Sequence, residues 1–322
     1  MKYIVIILSI FAMAIGADTK ISGTTYFDYT SGDEKSEFNF KRQYISFSGK
    51  ASENINYKIV FDVGTTNEGT VLVVTGDGPE EISEDTRLVA FLKKAQIDYK
   101  TSFANISMGV IGTNTYGVQE KNWGYRFIEK SAMDRYRFSS TADIGIGFSR
   151  SLTDDLNMSL QMVNGEGYKS PQTDKYHKIS FNATYGEAKL HKNDGYNAGF
   201  VYSTEDSDDD PTNVISLFGG FATKGLRLGI ENDTETTGDL NKSITSISAN
   251  YGIKDNMDVF MRYDMYDPNT DVDEDRNSYM ITGVVFNCGN GLSMAPNMRT
   301  KSYEDANTDS ETEYKLNIQY KF

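Results

Sequence analysis

The final nine residues constrain this chain more than any other stretch. Tyr314, Leu316, Ile318, Tyr320 and Phe322 are apolar, and Lys315, Asn317, Gln319 and Lys321 stand between them. Successive side chains of a strand point to opposite faces, so the segment has one apolar and one polar face. It places an aromatic residue, Phe322, at the carboxyl end. Such a strand exposes a free edge unless it finds a partner. The expectation is an all-β chain: a transmembrane antiparallel β-barrel whose last strand pairs with its first.

Composition is compatible with that shape. Hydrophobic residues make up only 38% of the chain, but a barrel needs apolar side chains on alternate strand positions only. There are 21 Tyr and 18 Phe against 5 Pro; aromatics suit strands and Pro interrupts ladders. The net charge of −14 argues against a nucleic-acid partner. Cys288 is the only cysteine, so no intrachain disulfide can form, and a buried or lipid-facing thiol is expected. Asp267, Asn269 and Asp271 have calcium-loop spacing, but Val272 replaces the required Gly and Ser278 the closing Glu. No metal site and no cofactor are expected.

At the amino end, Lys2 precedes an apolar run of 13 residues, Tyr3 to Ile15, and then Ala14-Ile15-Gly16 offers small residues. This pattern is that of a secretory signal peptide, with cleavage after Gly16 or Ala17. The run is too short to span a bilayer as a helix, which takes about 20 residues. Two domains in the bookkeeping sense follow: 1–17 as signal and 18–322 as barrel.

Alternation and turn chemistry predict about sixteen strands. They begin at Lys20–Tyr29, Phe38–Lys50 and Asn56–Val63, and continue with Leu88–Lys100 and Ala104–Ile111. Ser139–Ser149 is the sixth. Leu156, Met158, Leu160 and Met162 alternate with Asn157, Ser159 and Gln161 in the seventh, and the eighth is centred on Ile179 to Tyr185. Tyr196–Tyr202, Val214–Thr223, Leu226–Asn232 and Lys242–Gly252 follow, then a strand through Val259 to Tyr263, Ser278–Asn287, Leu292–Lys301 and the terminal strand. The polar insert Thr65 to Thr86 carries an apolar patch, Val71 to Val74, that the pattern does not place. Connections after odd-numbered strands are expected to be long and acidic, as at Thr204 to Asn213, Asp267 to Asn277 and Tyr303 to Glu311. Those after even-numbered strands are expected to be mostly short, with Glu187 to Gly195 as an exception. A membrane barrel sorts its loops in this way, and a sandwich has no reason to.

Three segments carry a family resemblance: Tyr320-Lys321-Phe322, Arg42 with Tyr44-Ile45-Ser46-Phe47, and Trp123-Gly124-Tyr125-Arg126-Phe127 followed by Lys130-Ser131-Ala132-Met133-Asp134-Arg135. Over 18–322 the chain resembles a Gram-negative-type outer-membrane porin, and the Trp123 region resembles one found in porins of the phosphate-selective type. The resemblance implies a long third extracellular loop, here Gly112 to Phe138, folded into the lumen. It also implies a homotrimer in the bacterial outer membrane, among lipid and lipopolysaccharide, with Tyr320 and Phe322 as the signal to the barrel-assembly machinery.

Strand parity sends Arg42, Lys58, Lys94, Arg227, Arg262 and Arg299 inward, with Asp62, Asp98, Asp143, Glu231 and Asp264. The loop adds Glu120, Arg126, Glu129, Asp134, Arg135 and Arg137. Opposed charges across a narrow wet channel bias ion passage. The function expected is passive diffusion of ions and small hydrophilic solutes. The alternatives are a non-conducting structural or adhesive barrel and a solute-specific channel of the anion or phosphate type. An enzyme is not expected: His177 and His191 are the only histidines, the first with outward parity and the second in a turn.

Overall fold

The computed structural model describes residues 19–32, 35–65, 70–75, 78–84 and 88–322. The expected signal peptide, 1–17, lies outside the described residues. The first strands are β1 (Lys20–Gly32), β2 (Ser36–Lys50), β3 (Ile55–Thr65), β4 (Thr70–Thr75), β5 (Gly78–Glu84), β6 (Leu88–Lys100) and β7 (Asn105–Gly112). Two short helices follow, α1 (Gly117–Trp123) and α2 (Ala132–Arg135). The chain continues with β8 (Ala142–Ser151), β9 (Leu156–Val163), β10 (Lys178–Gly186), β11 (Gly195–Glu205), β12 (Thr212–Thr223) and β13 (Leu226–Thr237). It ends with β14 (Leu240–Lys254), β15 (Met257–Asp267), β16 (Asn277–Gly289), β17 (Leu292–Tyr303) and β18 (Glu311–Lys321).

Sixteen of these strands form one closed barrel; β6 lies beside β3, and β18 beside β1. Neighbours pair antiparallel throughout, as the sequence pattern predicts. The seam runs from Thr24 opposite Lys321 to Gly32 opposite Glu313. Beyond it, Gly23 N–H donates to Phe322 O at 2.9 Å and Phe322 N–H donates to Gly23 O at 3.1 Å. The Phe322 ring covers Gly23 on the outer face, and a Cβ there would fall 2.1 Å from Phe322 Cζ. A side chain at position 23 would have to displace this ring.

Burial is inverted relative to a water-soluble protein. Along β12, Val214, Ser216 and Phe218 are buried, while Ile215 and Leu217 between them are exposed. Ile97, Ile144, Leu160, Ile179, Ile230, Ile247 and Met261 are likewise exposed large apolar residues. Buried polar residues include Asp62, Ser180, Thr184, Ser216 and Asp264. An apolar outer band around a polar interior is the surface a lipid bilayer requires of a barrel.

One unplaced stretch finds its place, and two expectations are corrected. The patch Val71 to Val74 lies on β4, which pairs with β5 in a separate two-stranded sheet. The sixth barrel strand begins at Ala142 rather than Ser139, because 139–141 hydrogen-bond to the segment after β7: Thr115 Oγ1 donates to Ser139 Oγ at 2.8 Å and Thr113 Oγ1 to Ser140 O at 2.5 Å. Two connections after odd-numbered barrel strands are short, between Gly32 and Ser36 and between Thr237 and Leu240. Ladder hydrogen bonds need no apolar face, so β1 and β13 extend through polar residues past the ends that alternation marks.

Candidate pore constriction

Residues 113–141 leave β7 and return at β8, but their partners lie along much of the inner wall. Asn114 N–H donates to Gln161 Oε1 on β9 at 3.0 Å, and Ser180 Oγ on β10 donates to Asn114 Oδ1 at 2.6 Å. Gln119 Nε2 donates to Ser216 on β12, and Asn122 exchanges two 2.9 Å bonds with Asn197 on β11. Trp123 O accepts from Arg227 on β13 and Asn250 on β14. Lys130 O accepts from Arg262 on β15, and Ile128 O from Arg299 on β17 at 2.6 Å. A segment with only two short helices leaves many carbonyls without internal partners, and long inward side chains satisfy them. These inward-facing partners place the segment inside the barrel.

Apolar residues complete the docking. Trp123, Phe127 and Ile128 are buried with Phe260, Tyr279 and Ile281, and with Tyr26 of β1. Trp123 meets Phe260 edge-on, with ring centroids 5.8 Å apart. Ala132, Met133 and Phe138 are buried with Val214 and Ile244, and Tyr136 stacks on Tyr266 at 4.4 Å. Phe260, Val214 and Ile244 are apolar residues on the inner face of the wall, and the segment gives each an apolar neighbour. Helix α1 ends at Gly124, whose φ of 79° is left-handed. A Cβ there would run into the Arg227 guanidinium.

Charges lock the arrangement. Glu129 accepts from Arg135 and Arg299, each at 2.9 Å, and Tyr279 OH lies 3.3 Å away. Burial pushes the Glu129 carboxyl up, but the guanidinium groups of Arg299, Arg135 and Arg262 outweigh it and hold its pKa at about 2. Arg126 bridges Glu120 at 3.2 Å and Asp134 at 3.4 Å, and Lys130 reaches Asp134 at 3.5 Å.

The expected pore residues therefore divide. Arg262 and Arg299 face inward, but their side chains are only 1% and 6% exposed. They lie beneath the segment and hold it, and Arg299 also borders a cavity of about 420 Å3 with Glu129 and Lys315. Arg227 shares that position, 5.1 Å from the Tyr125 ring. Arg42 instead pairs with Asp62 and lines a cavity of about 770 Å3 with Arg126, Asp134 and Arg137. Asp98 accepts from Gln96 at 2.8 Å and Ser107 at 2.5 Å. It lines a second cavity, of about 790 Å3, at the short-turn end with Val118 of the segment. Lys58 is exposed on the inner face of β3, and Lys94 Nζ lies beside Gly112.

Lys41 and Lys93 join this wall and were not expected there. Register jumps leave each without a partner: Tyr26 faces Arg42 but Phe27 faces Phe40, and Val60 faces Lys94 but Phe61 faces Leu92. A bulge swaps the parity of the residues on either side of it. The sequence carries the signal. Phe38 and Phe40 are out of phase with Ile45 and Phe47, as Ala90 and Leu92 are with Ala95 and Ile97.

No protein-family model matches the sequence, and a search of curated proteins finds no match. Solved structures do match. Salmonella typhi OmpF, in complex with daunomycin, superposes with a TM-score of 0.68 at 11% identity, over 94% of this chain and 97% of that one. The anion-selective porin from Comamonas acidovorans gives 0.63 at 11% identity, over 94% and 99%. The outer-membrane channel DcaP of Acinetobacter baumannii gives 0.63 at 10% identity, over 95% and 97%. At these identities the fold is what is shared: the chain has the sixteen-stranded barrel of the bacterial porins.

Proposed function

We propose that this chain is an outer-membrane porin, through which ions and small hydrophilic solutes diffuse passively. The observation that carries the proposal is the docked segment 113–141. A cavity lies to each side of it, with Arg126, Asp134 and Arg137 on one and Val118 on the other. A sixteen-stranded barrel leaves a lumen wider than its own side chains fill, and the segment narrows it. In this proposal, 1–17 directs export, and Tyr320 and Phe322 at the seam mark the chain for barrel assembly. The assembled protein is a homotrimer set among lipid and lipopolysaccharide. Planar-bilayer recording of the folded protein tests the central point: stable open steps are expected, and a folded but silent barrel contradicts it.

A further inference from the structure

We infer that the connection between β10 and β11, residues 187–194, is a wedge set into the short-turn mouth of the barrel: Leu190 props helix α1 against the wall, and Ala188 bounds the passage that remains. The inference rests on the proposal that the barrel conducts. It starts from a length. The connection has eight residues, where the other connections at that end have two to four. Two residues suffice to join antiparallel neighbours. Glu187 N–H already donates to Tyr196 O at 2.8 Å, so a tight turn could close the pair there.

The added residues turn inward. Leu190 is the one large aliphatic residue in Glu187-Ala188-Lys189-Leu190-His191-Lys192-Asn193-Asp194. Leu152, in the turn 152–155 at the same end, is 53% exposed, whereas Leu190 is 3% exposed. The seat of Leu190 is at Gly220, which stands opposite Gly229 of the neighbouring strand. A Cβ on Gly220 would fall 2.7 Å from Leu190 Cδ1 and 2.7 Å from the Asn122 side-chain amide. The leucine and the end of α1 therefore share one notch in the wall, open because neither glycine carries a side chain. Asn197 ties the same two elements together: its Nδ2 donates to Glu187 O at 2.7 Å and to Asn122 Oδ1 at 2.9 Å.

The connection also holds its own shape. The Glu187 carboxylate accepts from Lys189 N–H at 2.8 Å and from Asn193 Nδ2 at 2.9 Å, and Lys189 O accepts from Lys192 N–H at 2.8 Å. Lysine charge does not draw it inward. Burial lowers the Lys121 pKa on α1, and Lys189 of the connection lowers it further, so these two cations repel. The apolar seat and the amide bonds hold the wedge against that repulsion. On its other flank, Ala188 borders the cavity of about 790 Å3 together with Val118 of α1, and the walls of that cavity come from β3 and β6 to β10. The connection thus occupies the mouth beneath α1, and a solute leaves between Val118, Ala188 and those strands.

The test uses the folded full-length barrel in planar bilayers, with neutral polyethylene glycols of graded size added to one side at a time. A polymer that enters the passage lowers the open step. Replacing residues 188–195 by Asn-Gly joins Glu187 directly to Tyr196. This variant should raise the open step about 1.5-fold and admit larger polymers from the short-turn side. Leu190→Ser keeps the backbone whole and should give noisier, larger steps, whereas Leu152→Ser, at an exposed position of the same end, should change nothing. Ala188→Trp should lower the step and exclude polymers from the short-turn side while leaving entry from the other side as in the wild type. The folding of each variant is checked by its resistance to unfolding by detergent until heated. An unchanged step and polymer limit in the folded Asn-Gly variant, or in Leu190→Ser if the former does not fold, overturns the inference while the channel proposal stands. An undiminished step in Ala188→Trp overturns the route past Ala188. A folded wild-type barrel that never opens overturns both the inference and the channel proposal.

Discussion

Two walls of the same lumen both carry inward basic residues and use them differently. On β13, β15 and β17, Arg227, Arg262 and Arg299 spend their donors on carbonyls of segment 113–141. On β2, β3 and β6, Lys41, Arg42 and Lys93 border cavities beside the segment and Lys58 is exposed; among the described residues Lys41 and Arg42 pair with carboxylates of the wall itself. Inward parity alone does not make a residue part of a pore. What covers it decides, and here the cover is a segment from a remote part of the chain.

The largest expected effect is on the covered wall. Arg299→Gln removes one of the two guanidinium groups on Glu129, which keeps Arg135, and takes a donor from Ile128 O and from Asn317 Oδ1. Removing one partner of a buried ion pair costs about 3–5 kcal/mol, because the remaining charge stays buried. Single-channel recording of this variant is expected to show larger or flickering steps, and thermal unfolding a lower midpoint. Steps and midpoint like those of the wild type would show that the arginine does not hold the segment.

A smaller effect is expected from acid. The Glu129 pKa, held at about 2, lies below the ordinary glutamate value of about 4.3. Its contribution is full above the unfolded value and is lost as pH falls from there through the folded value. The segment should therefore stay seated at pH 4, with step size unchanged, and loosen as pH approaches 2. Enlargement of the steps already at pH 5 would break the assignment of Glu129 as the lock.

The smallest effect is expected at Lys41, whose side chain is 45% exposed and pairs with Asp28. Exposed ion pairs contribute about 0–1 kcal/mol. Lys41→Gln should leave both the unfolding midpoint and the open step nearly unchanged. A fall in midpoint as large as that of Arg299→Gln would mean that exposed and covered cations hold the structure alike, and the contrast between the walls would fail.

The sequence made one half of this comparison legible. Alternation over ten to fifteen residues is a local signal, so the strands, their faces and the closure of β18 on β1 follow from it. At the seam, Tyr314 to Phe322 read as a strand with an apolar outer face, and Phe322 does cover Gly23 on that side. The bulges at Lys41 and Lys93 were legible in principle, as breaks of phase, but a strand scored only as alternating hides them. The anchoring of the segment was not legible. Arg299 and Glu129 are 170 positions apart, and parity predicts that an arginine points inward but not what it meets there.

Cysteine accessibility tests the difference between the walls most directly. Cys288 is exposed and must first be replaced by serine. In that background, Lys94→Cys should react with a small charged thiol reagent in the bath, and the open step should fall as it does. Ser248→Cys, on the inner face of β14 and covered by the segment at Asn122, should not react. A step that falls at position 94 and holds at position 248 is the result this account predicts. Equal reaction at both positions, or no change in current at 94, would contradict it.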